Sequence, residues 1–282
     1  MNIINKLLKG IDEFPTLPTI YISLSEVMSN PYSTINDAAE IISQDQSSTA
    51  KILKTANSSI FALQRKINTV KDAIFYIGFN EVKNLILAMS VMDIFQTTKI
   101  LKNLNPIDLW KHSIAVGVIT RHFGILTGIK KIENYFICGI LHDIGKLLFI
   151  KNIAEEYSEV LEIAEKENIA LRDAESKVLG MTHNIAGELI AEKWKLPAEI
   201  KLAIRYHNNG MTSEGFDNLT ACIHLANIVA RILEFGNGGD NIKPQPNRII
   251  WNYIDFPNKP FTGSYQKIKS DFETSTQLFS LN

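Results

Sequence analysis

The chain has 282 residues, 45% of them hydrophobic and 21% charged, which is enough for one large core or two coupled ones. Its 29 Lys and Arg against 30 Asp and Glu give a formal charge of −1. No basic cluster forms a phosphate-tracking stripe, so nucleic acid is not an expected partner.

The N-terminal "MNIINKLLKGIDEFPTLPTIYI" has neither a long apolar core nor a small-residue cleavage site, and later apolar runs are too short to span a bilayer. The only two cysteines, Cys138 and Cys222, lie in apolar helical patterns. These features predict a cytoplasmic protein with buried thiols and no membrane partner.

Apolar residues recur at three and four positions along the chain and period-2 strands are absent, so the expected class is all-α. "STINDAAEIISQDQSSTAKILKTANSS" opens with cap-type residues; Ile35, Ala38, Ala39, Ile41 and Ile42 make one apolar face, and Ala50, Ile52, Leu53 and Ala56 a second helix. "TVKDAIFYIG" predicts a helix from Thr69 stopped by Gly78, with Asn80 capping the next. From Pro106 the segments "IDLWKHSIAVGVITRHFGILTG", "NYFICGILHDIGKLLFIKN", the acidic "AEEYSEVLEIAEKEN", "HNIAGELIAEKWKLP", "AEIKLAIRYHNNG" and "LTACIHLANIVARILEFG" predict a helical bundle. "GNGGDNIKPQPN" reads as a linker or long loop, and "RIIWNYIDFP" and "SYQKIKSDFETSTQLF" as short docked helices. Burial of a large ring accounts for Trp110, Trp194 and Trp251.

The chemistry concentrates in "GILHDIGKLLF". On one continuous helix Lys146 would follow His142 by four residues and Asp143 by three, setting three polar groups on one side. Imidazole suits Zn or Fe and carboxylate suits Mn or Mg, and a divalent ion there could acidify a water and polarise a phosphoryl oxygen. The simpler alternative is a buried polar pair with Asp143 bonded to Lys146. Further ligands must come from other helices: His112, His183, His207 and the segment around Asn227. His183 is equally natural as a helix-start residue, and His207 as a helix-end cation. His122 and His224 have no matching role.

The strings "LWKHS", "GILHDIGK", "HNIAGELIAEKWKLP", "AIRYH" and "IHLANIVAR" stand in the order of the HD superfamily of metal-dependent phosphohydrolases, which this part of the chain resembles. "FPTLPTI", "IISQDQSSTAKILKTANSSIF" and "INTVKDAIFYIG" look like the HDOD family, over roughly residues 12–233. The resemblance implies an N-terminal helical lobe over about 12–104, an HD-like core over about 105–233, and a linker with a C-terminal helical extension over 234–282. It places His112 as the first metal ligand, His142 and Asp143 as the central pair, and Lys146 as their accompanying lysine. The pattern's closing Asp falls at Asn227. His183 and His207 are similar to histidines that hold a second metal in the HD-GYP branch. The Gly-Tyr-Pro signature of that branch is missing, since "NNGMTSEGF" follows His207, so cyclic di-GMP hydrolysis is not carried over.

HDOD proteins are associated with bacterial signalling, and many have lost HD ligands. The amide at Asn227 removes one negative charge from the pattern, which weakens a divalent site. The expectation is a two-lobed signalling module that binds a protein partner or a phosphorylated small ligand and carries a degenerate metal site, with Fe, Mn, Zn or Mg as the candidate ion. Its alternative is a metal-dependent phosphohydrolase acting on a nucleotide or cyclic dinucleotide, with Asp143 and Lys146 as the candidate catalytic residues.

Overall fold

The structure, a computed structural model, describes residues 3–101, 104–240, 242, 245–254, 256 and 262–280. In chain order its helices are α1 (Ile3–Glu13), α2 (Thr19–Ser29), α3 (Ile35–Ser43), α4 (Gln46–Ala56), α5 (Val70–Ile77), α6 (Phe79–Gln96) and α7 (Pro106–Leu126). They continue with α8 (Tyr135–Leu141), α9 (Ile144–Asn152), α10 (Ala154–Glu167), α11 (Leu171–Leu179), α12 (His183–Lys193), α13 (Ala198–Tyr206), α14 (Asn218–Ile232) and α15 (Thr262–Leu278). Among the described residues the only extended pairings are the isolated bridges Leu101–Leu104 and Thr212–Gly215, so the fold is all-α. No single helix among them is long and apolar enough to cross a membrane.

Two compact units divide the chain: Met1–Pro15 with Ile94–Lys259, and Thr16–Asp93 with Pro260–Asn282. The division falls in the last turn of α6 rather than near residue 104, and the C-terminal helix α15 belongs with the smaller unit. There Lys267 and Asp271 of α15 both bond to Ser59 beyond α4, through Lys267 Nζ to Ser59 O at 2.7 Å and Ser59 Oγ to Asp271 Oδ1 at 2.9 Å.

Local chemistry explains several helix ends. Thr34 and Asp37 form a reciprocal capping box on α3, Asp45 caps α4, and Thr69 caps α5. Gly78 takes φ +92°, which ends α5, and its carbonyl accepts from Val82 N at 3.2 Å, so α6 starts at once with Phe79. Asn80 therefore lies inside the first turn and does not cap the helix.

In the larger unit α7 is buried almost all round, as an apolar helix without a polar face must be. Asn105 caps it and Pro106 occupies its first turn, where a missing N–H costs nothing. It packs on α8 and α14. The approach to α8 is close because Gly117 faces Gly139: a Cβ on Gly139 would come within 2.6 Å of Gly117 N. Likewise α9 and α12 meet at Gly145, where a Cβ would overlap His183 O and lie 2.7 Å from Gly187 N.

The helix expected through "HDIGK" is interrupted. α8 ends at Leu141 and α9 begins at Ile144, leaving His142 and Asp143 as a turn between them, with Asp143 at φ −104° and ψ 12°. The acidic α10 buries Tyr157, Val160, Leu161 and Ala164 on one face. Trp110 and Trp194 are buried, whereas Trp251 is half exposed, because its segment forms only one 3-10 turn, Ile250–Asn252, which buries Ile250 instead.

Candidate metal centre

Six side chains from five parts of the chain are gathered in the core of the larger unit. α7 supplies His112, the α8–α9 turn His142 and Asp143, α9 Lys146, the start of α12 His183, and the residue after α13 His207. All six are buried. They form two potential ligand groups that share Asp143: His112, His142 and Asp143, and Asp143, His183 and His207, with the donor atoms of each group within 4.8 Å of one another.

Asp143 Oδ2 lies 3.3 Å from His142 Nε2 and 3.9 Å from His112 Nε2. Asp143 Oδ1 lies 3.4 Å from His183 Nε2 and 3.6 Å from His207 Nε2, and those two nitrogens are 3.4 Å apart. The remote nitrogens fix the tautomers. His142 Nδ1 is 2.7 Å from Gly139 O and His207 Nδ1 is 2.8 Å from Ile204 O. A carbonyl can only accept, so each Nδ1 donates and each Nε2 is the nitrogen turned inward. His183 Nδ1 donates in the same way to Glu175 Oε2 at 2.6 Å, whose other oxygen accepts from Tyr157 at 3.0 Å.

Three ligand-type atoms, His183 Nε2, His207 Nε2 and Asp143 Oδ1, thus face one another. Among the described residues Asp143 Oδ1, His142 Nε2 and the buried Asn227 Oδ1 have no hydrogen-bond partner. Unsatisfied buried acceptors are costly, and a cation held by Asp143 and His142 relieves theirs. Imidazoles anchored through their far nitrogen are the usual supporting shell of a metal ligand. The donor set therefore fits a divalent ion.

The charges are lopsided. Burial alone pushes the Asp143 carboxyl up, but His142, Lys146 and His183 outweigh it and hold it well below the usual carboxylate range. Burial, reinforced by His142, lowers His112 to about 3, and lowers His207 well below the ordinary histidine value. Lys146 Nζ donates to Asp143 Oδ2 at 2.6 Å and to Gly238 O at 2.8 Å. That lysine is buried and already paired, which is the polar-pair alternative for it and leaves its ammonium turned away from solvent.

Asn227 sits on α14, and Arg231 follows it by one turn on the same side. Arg231 donates to Asp240 O at 2.6 Å and also to Ile242 O. It thereby holds down the segment that composition marks as a linker. Residues 236–239 form a lid on the His112 side: Asn237 N donates to Asp108 O at 3.0 Å, and Gly238 and Gly239 are buried. A Cβ at Gly238 would come within 3.2 Å of His112 Nε2 and 3.5 Å of Asp143 Oδ2.

His224 belongs to neither ligand group; it is a strut, with Nδ1 3.1 Å from His207 O and Nε2 accepting from Asn247 N at 3.0 Å. His122 is also outside both groups. Glu175, Tyr157 and Gly238 were not singled out from the sequence. The one available signal for Glu175 was a carboxylate eight residues before His183 in "AESKVLGMTH".

A helical core that gathers histidines from α7, α12 and the end of α13 around a His-Asp turn defines an HD-type domain. The HDOD domain profile matches residues 14–210, and the chain belongs to that family. The chain is similar to an HDOD domain protein of unknown function from Geobacter sulfurreducens, with 25% identity, 99% of each chain covered and a TM-score of 0.74. It shares its fold with a protein of Shewanella amazonensis SB2B described as a candidate phosphohydrolase, at 24% identity over 97% of this chain and 98% of the other, TM-score 0.71. An uncharacterized protein of Treponema pallidum (strain Nichols) is 25% identical over 226 residues, 79% of this chain and 43% of that protein. The chain therefore spans less than half the length of this curated relative.

Proposed function

We propose that the chain is a signalling HDOD module, working in the reducing cytoplasm, whose core holds a divalent ion and recognises a phosphorylated small ligand. One observation carries the reading: His183 Nε2, His207 Nε2 and Asp143 Oδ1 converge in the buried core, 3.4–3.6 Å apart. The imidazole-rich set suits Fe, Mn or Zn better than Mg. A bound ion would supply a positive centre whose field attracts a phosphorylated ligand. His112, His142, Asp143, His183 and His207 would hold it, with the Asn227 amide oxygen available as a neutral donor.

Binding rather than turnover is favoured by charge and access. Lys146 already neutralises the only carboxylate in the two ligand groups, so a divalent ion keeps a surplus of positive charge that attracts anions but weakens its own retention. Gly238 covers the His112 side. Phosphohydrolase activity on a nucleotide or cyclic dinucleotide is the second reading, supported by the two oxygens of Asp143 facing separate histidine pairs. A protein partner remains compatible with both.

The test is elemental mass spectrometry on chain purified without chelators, beside His142→Ala and His183→Ala. Near-stoichiometric metal that falls in both variants is the expected result. Metal-free folded protein that stays empty with Fe, Mn and Zn would reject the reading. Hydrolysis of phosphodiesters or nucleotides by loaded protein, lost in both variants, would promote the second reading over the first.

A further inference from the structure

Gly238 and the paired Lys146 close one side of the centre, which leaves the question of how an anion would reach it. On the other side a cavity of about 180 Å³ is lined by Arg172, Thr182, Asn184, Arg205, Tyr206 and Asn208 together with Ile185 and Asn209. Two guanidinium groups and several amides line it, and no carboxylate does. The geometry points to this cavity as the binding site for the phosphate group of a phosphomonoester, an assignment that rests on the phosphorylated-ligand reading above and gives it a place.

Four features support this. Arg172 is open to a ligand, since its one ion pair among the described residues, to Asp173, is long at 3.8 Å and exposed, and such pairs contribute little. Arg205 is held from outside the cavity by Glu188, Nη1 to Oε2 at 3.1 Å, which orients the guanidinium without placing a carboxylate in the lining. A planar fork of N–H donors matches phosphate oxygens two at a time. The start of α12 also lines this cavity through Thr182, Asn184 and Ile185; its first amide, His183 N, is taken by Glu175 Oε2, so the helix contributes the positive end of its dipole.

The volume decides the ligand class. At about 180 Å³ the cavity is below the ~300–1,000 Å³ of pockets that enclose drug-sized molecules, so it takes a phosphoryl head and leaves the rest of the ligand outside. Its inner wall is the hydrogen-bonded pair Asn208 and Asn184, Nδ2 to Oδ1 at 3.1 Å. Asn208 Nδ2 also lies 3.2 Å from His183 Nε2, and Asn184 Nδ2 lies 3.4 Å from His207 Nδ1. One amide layer therefore separates the phosphate site from the second ligand group, and the ligand reads the centre from the α12–α13 side.

The experiment is isothermal titration of the full chain with inorganic phosphate and with phenyl phosphate, with and without chelator, on wild type, Arg172→Gln, Arg205→Gln and the double variant. Circular dichroism checks folding, and metal content is measured on the same samples. The expected result is binding weakened tenfold or more in each single variant and lost in the folded double variant. Equal binding by wild type and double variant would overturn the assignment, as would a metal-loaded wild type that binds neither probe, a result that leaves the metal reading standing. Arginine-dependent binding to protein that never takes up metal would keep this site while rejecting the metal centre. Should the double variant not fold, Arg205→Lys decides: it keeps the charge but loses the fork, and undiminished affinity would count against the site.

Discussion

Glu175 Oε2 lies 2.6 Å from His183 Nδ1, and the opposite nitrogen of that ring lies 3.4 Å from Asp143 Oδ1. The same carboxylate oxygen accepts from the His183 amide at 2.8 Å, so one buried acid fixes both the start of α12 and the aim of its imidazole. Glu175→Gln keeps the shape but removes the charge and leaves one oxygen for the His183 and Tyr157 donors. Metal affinity should fall ~10–100-fold, the range for losing a histidine's outer partner. Competition with a calibrated chelator measures it; an unchanged affinity would mean that His183 is not a ligand.

Asn227→Asp puts a carboxylate at the α14 position of the HD pattern's closing Asp, in a set whose one acid is already paired with Lys146. Metal should bind at least about tenfold more tightly, roughly 1.4 kcal/mol, while the metal-free form loses stability through a second buried charge. The gap between the melting temperatures of loaded and stripped protein should therefore widen. A variant with the same gap as wild type would place Asn227 outside the ligand set.

Most of this fold was legible in local patterns. The Thr34–Asp37 box, the Asp45 and Thr69 caps and the Asn105–Pro106 start are short-range signals, and each helix follows its cap. Legibility failed where tertiary contacts decide. Periodicity cannot reveal the break at His142–Asp143, because both flanking stretches are apolar and buried and the turn is stabilised by what it faces. Glycine-rich composition at 236–239 reads as a tether. Those residues instead pack where no side chain fits, since a Cβ at Gly236, itself at φ +79°, would sit 2.5 Å from Asp108 O. The histidines of the centre carried their own residue-type signal; Glu175 and Asn208 act only through them, and spacing along the chain does not disclose that.

Stripped of metal, the protein should lose stability as pH falls below ~6.5, the value expected for unfolded histidine. His112, lowered to about 3, and His207, also lowered, stay neutral in the fold while the unfolded chain takes up protons. Stability therefore rises with pH through this window and is complete above it. Asp143, held low in the fold, acts in the same direction at more acidic pH. Thermal denaturation from pH 7.5 to 5 in chelator should show a falling melting temperature, with a shallower slope in His207→Gln. A flat profile would contradict the buried neutral histidines.

Cys138 and Cys222 are free and buried, and burial pushes Cys222 up to about 12 and Cys138 well above the ordinary thiol value. At pH 8 almost no thiolate forms, and the thiolate is the reactive species. Neither should react with a thiol reagent in the native protein, and both should react at once in denaturant. Rapid native labelling of either would show that its helix opens on the timescale of the reagent.

Gly145→Ala tests whether fold and centre are coupled through a single crossing. The added methyl would overlap His183 O and lie 2.7 Å from Gly187 N, backbone atoms that cannot rotate aside, so α9 and α12 must part. Overpacking of this kind costs ~1–3 kcal/mol or more. It also carries His183 away from Asp143, so metal content should fall even where the protein still folds. Gly263→Ala is the contrasting substitution, because a methyl there meets nothing within 4 Å and α15 lies in the other compact unit. It should stabilise by up to ~1 kcal/mol through a less flexible unfolded chain and leave metal content unchanged. Melting temperature and metal content on both variants decide the matter: a Gly145→Ala protein that melts like wild type and retains its metal would show that the α9–α12 approach is not what holds His183 against Asp143.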